Sequence, residues 1–463
     1  MPNNMNDIAT DNTLKNPRLW IFLGIILTVG LAGALLFHFS PFLPLLFVGG
    51  ILSVTLLFRA PILLLFGLII VRMSLDYSSQ YVSFTLYNIT LSFSQLLGVG
   101  IALLGLMLLI LKRHLLLRYP LLIPFLGLFL WGGATLLYSL YPRVTLQELL
   151  RIFDLFALGF LAYVTIRETR DFKHLLQAFF ISSILPVCFG LYQYAFHIGL
   201  TDENVSILRI FGTFSHPNVY SLYLYALIVF GALYLALFAE SGVRRLIIAG
   251  ILGIFTLVLV LTFARVAWVA LFLFIFLIAL FRYRLLLFPL FLFPFILYVF
   301  SPTFQARVNE SFTPDPDSSL VWRQTLWKDV TRYSIQEERL TLGSGLDTFP
   351  RISEIVRGTN HGPNEPHNDF VKFFVEGGVV GLLVFILYLF SLGYLLTKKY
   401  RQTRPGSALR LAFGIMFVFF LTLELSALTD NIFKNTPVQW LFFTALGALL
   451  ALSEQTGKKK DLV

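Results

Sequence analysis

The chain of 463 residues is 57% hydrophobic and only 13% charged. Soluble globular proteins carry about 25% charged residues, so this composition excludes a soluble protein and indicates an integral membrane protein. Apolar runs of about 20 residues recur without the alternation of barrel strands, which predicts helical spans. The net charge of +10 lies mainly in short segments between apolar runs, so it indicates topogenic signals and no nucleic-acid partner.

The apolar runs predict about twelve to fourteen membrane-spanning helices. The candidate spans are residues 18–38, 42–58, 60–73, 93–111, 121–140, 145–166, 174–196, 218–238, 246–264, 266–281, 285–301, 367–396, 409–428 and 437–453. Some of these runs are short or share thin boundaries, which leaves the number open within that range. The predicted fold class is an all-α polytopic membrane protein.

Lysine and arginine are concentrated in the segments that follow alternate spans, and the segments on the opposite side carry few of them. Because basic residues stay on the cytoplasmic side of a membrane, both termini are predicted to be cytoplasmic. The predicted organisation is a cytoplasmic tail at 1–17, a helical bundle at 18–301, a large external loop at 302–366, C-terminal membrane helices at 367–453 and a cytoplasmic tail at 454–463.

The external loop is the only long polar segment of the sequence, and it carries signals of local structure. Trp322, Leu326, Val330 and Tyr333 recur at helical spacing, which predicts a short amphipathic helix at the membrane interface. Further along, residues 343–345 read Gly-Ser-Gly and predict a tight turn.

A proline directly before His367 predicts that a helix starts there, with His367 and Asn368 in its first turn at the external surface. The unpaired amides and positive dipole of such a helix start suit phosphate oxygens. Asp369, Lys372 and Glu376 follow on one helix face, and charges inside a membrane span indicate function. The alternative is that Lys372 and Glu376 form an i, i+4 ion pair that only stabilises the bundle.

A second group of polar residues precedes the span at 218–238. His216 stands directly before Pro217, and Arg209 lies upstream of it. Arg265 separates two apolar runs, and its guanidinium suits bidentate contact with a diphosphate. Simpler interpretations remain open: His216 could mark only a helix start, and Arg265 could only snorkel to the membrane interface.

Arg323 in the external loop is a further candidate for contact with a diphosphate, although arginines in loops are commonly only solvated. A metal site is not predicted, because His361 and His367 have no third ligand at a suitable spacing. Asp315 and Asp317 flank a proline in a turn-rich segment, so they are not predicted to bind a metal-nucleotide complex. No cofactor is expected.

Four motifs lie between residues 212 and 440. Residues 212–218 read Gly-Thr-Phe-Ser-His-Pro-Asn, and residues 262–267 read Thr-Phe-Ala-Arg-Val-Ala. His367-Asn368 is followed after nine residues by Gly378 and after two more by Gly381, and Asp430-Asn431 is followed by Trp440. These motifs resemble those of the bacterial O-antigen ligase and polymerase superfamily of polysaccharide-assembly enzymes.

The resemblance covers residues 205–450, and two positions depart from it. Ala264 and Val266 stand where the superfamily usually has Ser and Gly. The pattern that begins at His367 is usually associated with the ligases.

This resemblance implies a metal-independent glycosyltransferase with a GT-C-like fold. The implied donor is a glycan on undecaprenyl diphosphate, at the periplasmic face of the bacterial inner membrane. In a ligase the acceptor is a sugar hydroxyl of lipid A–core, and in a polymerase it is another lipid-linked repeat unit. The lipid bilayer is the remaining partner.

Together, the residues and the resemblance predict His367 and Arg265 as the catalytic residues, with His367 either activating the acceptor hydroxyl or orienting the diphosphate. The predicted contacts to diphosphate or acceptor are Arg209, His216, Arg323, Asn368 and Lys372. Gly378 and Gly381 are predicted to have a structural role.

Transport of a small anion such as inorganic carbon is the main alternative class, because Arg and His side chains bind anions. Transport requires polar groups through the membrane midplane, whereas the polar residues here gather at the external face. A flippase for lipid-linked sugars would need a charged cavity lined by many spans. The predicted function is therefore O-antigen ligase, with polymerase as the first alternative and transporter as the second.

Overall fold

A computed structural model of the chain describes residues 43–76, 83–86, 89–202, 207–238, 242–281, 283–310, 312, 319–358 and 364–460. The predicted tail at 1–17 and the predicted span at 18–38 lie outside these residues, as do Asp315, Asp317 and His361. The described part is almost entirely helical, which confirms the predicted all-α fold class.

In the described residues, the secondary structure consists of helices and two short antiparallel hairpins. The helices are α1 (Leu43–Arg59), α2 (Pro61–Leu75), α3 (Phe93–Leu111), α4 (Arg113–Leu116), α5 (Leu122–Thr135), α6 (Pro142–Thr165), α7 (Thr169–Ser182), α8 (Ile184–Ala195), α9 (Pro217–Phe238), α10 (Gly242–Leu261), α11 (Arg265–Phe281), α12 (Leu287–Phe300), α13 (Pro302–Asn309), α14 (Ser319–Gln336), α15 (Phe349–Arg357), α16 (Asp369–Gln402), α17 (Ala408–Ser426) and α18 (Thr436–Lys460). The hairpins are β1 (Ser83–Leu86) with β2 (Ile89–Ser92), and β3 (Leu200–Asp202) with β4 (Ile207–Arg209).

The chain forms two compact units, one that ends at Pro61 and one that begins at Ile62. The described part of the first unit is α1. In the second unit, α6 and α18 pack along each other, with the ring of Phe125 from α5 against Phe156 and Phe443. This pairing forms the centre of the hydrophobic core.

Seven helices of the described part are long and apolar enough to cross a membrane, or eight if the bent pair Arg284–Phe300 and Pro302–Asn309 forms one span. Four further apolar helices have only 10–17 residues. The described part therefore contains fewer full-length spans than the twelve to fourteen predicted, because several apolar runs form shorter helices. The last helix continues to Lys460, past the predicted end of the span at 453.

The helix α16 is interrupted at Gly378, whose φ of 60° and ψ of −156° are not helical. Twelve residues of straight helix would separate Phe373 from Phe385 by about 18 Å. Their stacked ring centroids are instead 4.1 Å apart, so the chain bends sharply between them. The segment 369–377 is thus a short helix of its own, and 379–402 is the part long enough to cross a membrane.

The segment 340–345 fits into this interruption and pairs the backbone groups that the missing helical turn leaves free. The four hydrogen bonds run from Val379 N to Leu340 O (2.8 Å), from Val380 N to Thr341 O (3.2 Å), from Ser344 N to Val375 O (3.2 Å) and from Gly345 N to Glu376 O (2.8 Å). Gly343 and Gly345 have φ of 71° and 109°, which confirms the predicted glycine turn. The turn and the helix break therefore form one structural unit.

The two glycines of the His-Asn-x9-Gly-x2-Gly pattern are sites of close packing. A Cβ on Gly378 would lie 2.5 Å from the Leu340 carbonyl oxygen. A Cβ on Gly381 would lie 2.7 Å from the Trp131 ring. These contacts leave no room for a Cβ at either position.

The predicted amphipathic helix exists as α14. Its buried residues Leu326 and Val330 form a hydrophobic cluster with Phe349, Ile352 and Val375, which belong to α15 and α16. Its apolar stripe therefore packs against other parts of the same chain.

Replacement of Gly378 by Ala is expected to destabilise the protein by on the order of 3 kcal/mol or more, because it combines a positive φ with contact to rigid backbone. Thermal unfolding in detergent measures the effect. The matched control is Gly253→Ala in α10, where a Cβ meets nothing within 4 Å. An unchanged unfolding temperature for Gly378→Ala would contradict the close packing of the segment 340–345 against the helix interruption at Gly378.

Candidate functional site

Asp430, which follows α17, connects several of the predicted site residues through hydrogen bonds. It is only 6% exposed, and its Oδ1 lies 3.0 Å from His367 Nδ1. Its Oδ2 accepts a 2.8 Å hydrogen bond from Asn218 Nδ2, and its Oδ1 accepts another from Asn431 N. Asp430 thus connects the start of α16 with the start of α9.

Arg209 extends this network to the segment between α10 and α11. Its Nη2 donates to Asn218 Oδ1 at 2.8 Å, and its Nε donates to Thr262 O at 3.1 Å. The motifs at 212–218 and 262–267, which are remote in the sequence, therefore meet through one guanidinium.

Arg265 is the first residue of α11 and lies at the edge of the same segment. Its Nη2 is 3.3 Å from Glu310 Oε1, and its side chain is 27% exposed. Glu310 also pairs with Arg307, whose Nε donates to Phe263 O at 3.2 Å. Arg209 and Arg307 thus bind the backbone of Thr262 and Phe263, shortly before Arg265. Of these three arginines, Arg307 is the one that the sequence did not single out.

Arg323 reaches the site from α14. Its Nη1 donates a 2.8 Å hydrogen bond to Thr429 O, directly before Asp430. Its guanidinium therefore adds positive charge close to the Asp430 carboxylate.

The pKa of the Asp430 carboxyl is held at about 2. Burial by itself would raise the pKa, but the hydrogen bond and charge of His367 and the charge of Arg323 outweigh it. Asp430 is therefore ionised at neutral pH and accepts a hydrogen bond from Nδ1 of His367, which leaves the other ring nitrogen, Nε2, outside this hydrogen bond.

His216 lies beside this network in the neutral state. Burial, followed by the charge of Arg209, lowers its pKa to about 4. Its Nδ1 accepts a 3.1 Å hydrogen bond from Asn218 N, directly at the start of α9. The predicted helix start at Pro217 agrees with the structure, and the role of His216 in the site stays a prediction.

The helix after His367 starts later than predicted. His367 has a positive φ of 47°, Asn368 is the N-cap, and α16 begins at Asp369. The Asp369 amide donates to Ala427 O, and the Val371 amide donates to the Asn368 side chain. These two amides already donate hydrogen bonds within the protein, so they are not free to bind phosphate oxygens as the sequence predicted.

Lys372 is placed differently from the substrate contact predicted for it. Its side chain is fully buried, with Nζ 2.7 Å from Glu376 Oε2, 3.3 Å from Asp347 Oδ1 and 3.9 Å from Glu148 Oε1. An ammonium enclosed by three carboxylates does not face a substrate in this conformation. The alternative interpretation, an ion pair with Glu376, describes Lys372 correctly.

The buried charges continue toward the site through Lys434. Its Nζ lies 3.2 Å from Asp347 Oδ1 and 3.0 Å from Glu365 Oε1. Asp369 is also buried, and its Oδ2 accepts a 2.7 Å hydrogen bond from Phe433 N. This ion cluster ties the segment before His367 to the segment after Asp430.

Within the described ranges, no group of three or more His, Cys, Asp and Glu side chains is arranged to hold a metal ion.

Comparison with protein families gives a match for one segment of the chain. Residues 248–386 match the family described as O-antigen ligase. This segment is therefore similar to that family. The match confirms the resemblance seen in the motifs and supports a membrane glycosyltransferase-like enzyme of the ligase or polymerase type. No match is found among curated proteins.

The matched segment contains only part of the candidate site. Arg265, Arg323 and His367 lie within residues 248–386, whereas His216 and Asp430 lie outside this range. Sequence reasoning missed Asp430 as a site residue, although the Asp430-Asn431 motif was a signal for it.

The stability of the protein is expected to fall between about pH 6.5 and pH 4 because of His216. The unfolded histidine binds a proton near its ordinary pKa of about 6.5, whereas the folded His216 stays neutral until about pH 4. Protonation therefore favours the unfolded state by at most roughly 3 kcal/mol.

Thermal unfolding of the wild type and His216→Asn, measured at pH 7 and pH 4.5, tests this effect. The Asn side-chain oxygen can accept the Asn218 amide hydrogen in place of Nδ1. The variant should lose less stability on acidification than the wild type, and equal losses would contradict the neutral assignment of His216.

Proposed function

We propose that this protein is an O-antigen ligase. It transfers a glycan from undecaprenyl diphosphate to a sugar hydroxyl of lipid A–core, without a metal ion, at the periplasmic face of the inner membrane. In this proposal the fold is GT-C-like and both termini are cytoplasmic. The family match at 248–386 supports the reaction class, and the pattern at His367-Asn368 favours a ligase over a polymerase.

The observation that carries the proposal is the 3.0 Å hydrogen bond between His367 Nδ1 and Asp430 Oδ1. It orients the imidazole and leaves Nε2 to accept the proton of an acceptor hydroxyl. Ionised Asp430 then stabilises the imidazolium that forms. His367 retains 16% side-chain exposure, which allows a bound acceptor to approach it.

In the proposed reaction, the acceptor hydroxyl oxygen attacks the anomeric carbon of the donor glycan. The new glycosidic bond forms while the bond from the anomeric carbon to the diphosphate oxygen breaks. The hydroxyl proton moves to Nε2 of His367, and undecaprenyl diphosphate leaves with the electron pair. Attack opposite the leaving group inverts the anomeric carbon.

The departing diphosphate gains negative charge, which fixed cations stabilise. Arg265 has the position for this role, because it lies partly exposed at the start of α11. Arg209 and Arg307 hold the backbone of the preceding residues, Thr262 and Phe263. They add positive potential at the same place.

Purified protein in detergent, given undecaprenyl-diphosphate glycan with and without lipid A–core, tests the proposal. We expect glycan on lipid A–core, with the same rate in the presence of EDTA. Elongated lipid-linked glycan would instead identify a polymerase. If neither substrate is consumed by a folded sample, small-anion transport becomes the function to test.

His367→Ala and Arg265→Ala are each expected to lower transfer at least about 100-fold, by loss of the proton acceptor and of leaving-group stabilisation. Asp430→Asn is expected to lower kcat by a similar factor with little change in KM, because the amide does not stabilise the imidazolium. Initial rates in the same assay provide the measurement.

His114→Ala and Arg351→Ala are the controls for loss of a histidine and of an arginine. Both residues are exposed and lie outside the Asp430 network. Full transfer by His367→Ala or Arg265→Ala would remove that residue from the site.

A further inference from the structure

The helix α14 contacts the backbone on both sides of the His367–Asp430 pair. Trp327 Nε1 donates a 2.6 Å hydrogen bond to Pro366 O. Arg323 Nη1 donates a 2.8 Å hydrogen bond to Thr429 O. Each acceptor is the carbonyl directly before one member of the pair.

These two donors have a fixed spacing. Residues 323 and 327 are four apart, so both side chains project from the same face of α14, about one helical turn apart. Two other residues of α14, Leu326 and Val330, are fully buried in the cluster with Phe349. The helix is therefore anchored in the protein while it holds the two carbonyls.

The hydrogen bond from Trp327 is made to the peptide group that joins Pro366 to His367. The Pro366 carbonyl and the His367 amide belong to the same peptide group, whose orientation sets φ of His367. That φ is 47°, in the left-handed region that residues other than glycine rarely occupy because it is strained. A strong donor on the carbonyl restrains the rotation that would relieve this strain.

The segment around Pro366 is also held from its other side. Glu365 pairs with Lys434 and accepts a hydrogen bond from Asn431 Nδ2 at 3.4 Å. These contacts connect it to the segment after Asp430, whereas α14 is the element that contacts both segments at the residues adjoining the pair.

We propose that Trp327 and Arg323 are positioning residues that hold His367 and Asp430 at hydrogen-bonding distance. The proposal deepens the ligase function and rests on it for its kinetic consequences. We call the hydrogen bonds from Trp327 to Pro366 O and from Arg323 to Thr429 O the clamp. The clamp holds the backbone of the resting protein, so its existence does not depend on the reaction.

The first test is Trp327→Phe, which keeps an aromatic ring and removes the N–H donor. Hydrogen–deuterium exchange in detergent should be about fivefold faster in peptides covering residues 367–370, as the loss of one net hydrogen bond implies. The kcat for transfer should fall about tenfold while KM changes less than twofold. Trp322→Phe, on the same helix, is the control for the change of ring size.

The second test separates positioning from direct substrate contact at Arg323. Arg323→Met should lower kcat and speed exchange around residues 429–431, and Arg323→Lys should recover part of both. Lys328→Met is the control, because Lys328 is exposed on the same helix. A rise in KM with unchanged kcat would make Arg323 a substrate contact and overturn its positioning role.

Unchanged exchange in Trp327→Phe would overturn the clamp even if transfer were slower, since a lost positioning contact must loosen the segment it holds. Faster exchange with wild-type kcat would overturn its role in the reaction. If the wild type itself transfers no glycan, the proposed function fails, and the exchange data still decide whether α14 restrains the pair.

Discussion

Asp430 is a charged carboxylate removed from water, and such a group is stable only where donors replace its hydration. His367, Asn218 and the Asn431 amide supply these donors, and Arg323 adds charge. Asn218 lies 212 positions from Asp430 and His367 lies 63 positions away. The need to compensate one buried charge thus brings three distant segments to a single point, and the geometry of the candidate site follows from it.

The interrupted helix α16 gives this point a fixed support. Backbone groups that leave a helical ladder in an apolar environment need partners within the protein, and the segment 340–345 supplies them on both sides of Gly378. Because the short helix 369–377 is locked in place, Asn368 and His367 at its start are fixed relative to the core. The buried cluster of Lys372, Glu376 and Asp347 joins the same short helix to the loop that fills the break.

The sequence singled out His216 and His367, which lie near Asp430, because each of them borders an apolar run. Arg307 carries no such local signal, and Asp430 was marked only by the motif that it forms with Asn431, since the contacts of both residues depend on partners that the fold brings from elsewhere. Lys372 shows the opposite case. A charge inside a span indicated function, but the compensating carboxylates of Asp347 and Glu148 come from other elements, and no local pattern shows that they converge on it.

The sequence by itself determined the membrane class, the helical fold and the places where α9 and α11 begin. These features depend on neighbouring residues, because apolar length and the pairing of each backbone group within its own segment are local properties. Only the tertiary structure decided which helices are long enough to cross a membrane, where α16 breaks, which amides at its start are occupied and which charges are paired. Those outcomes depend on contacts between segments far apart in the chain, such as Asn218 with Asp430, and these contacts exist only after the helices have packed.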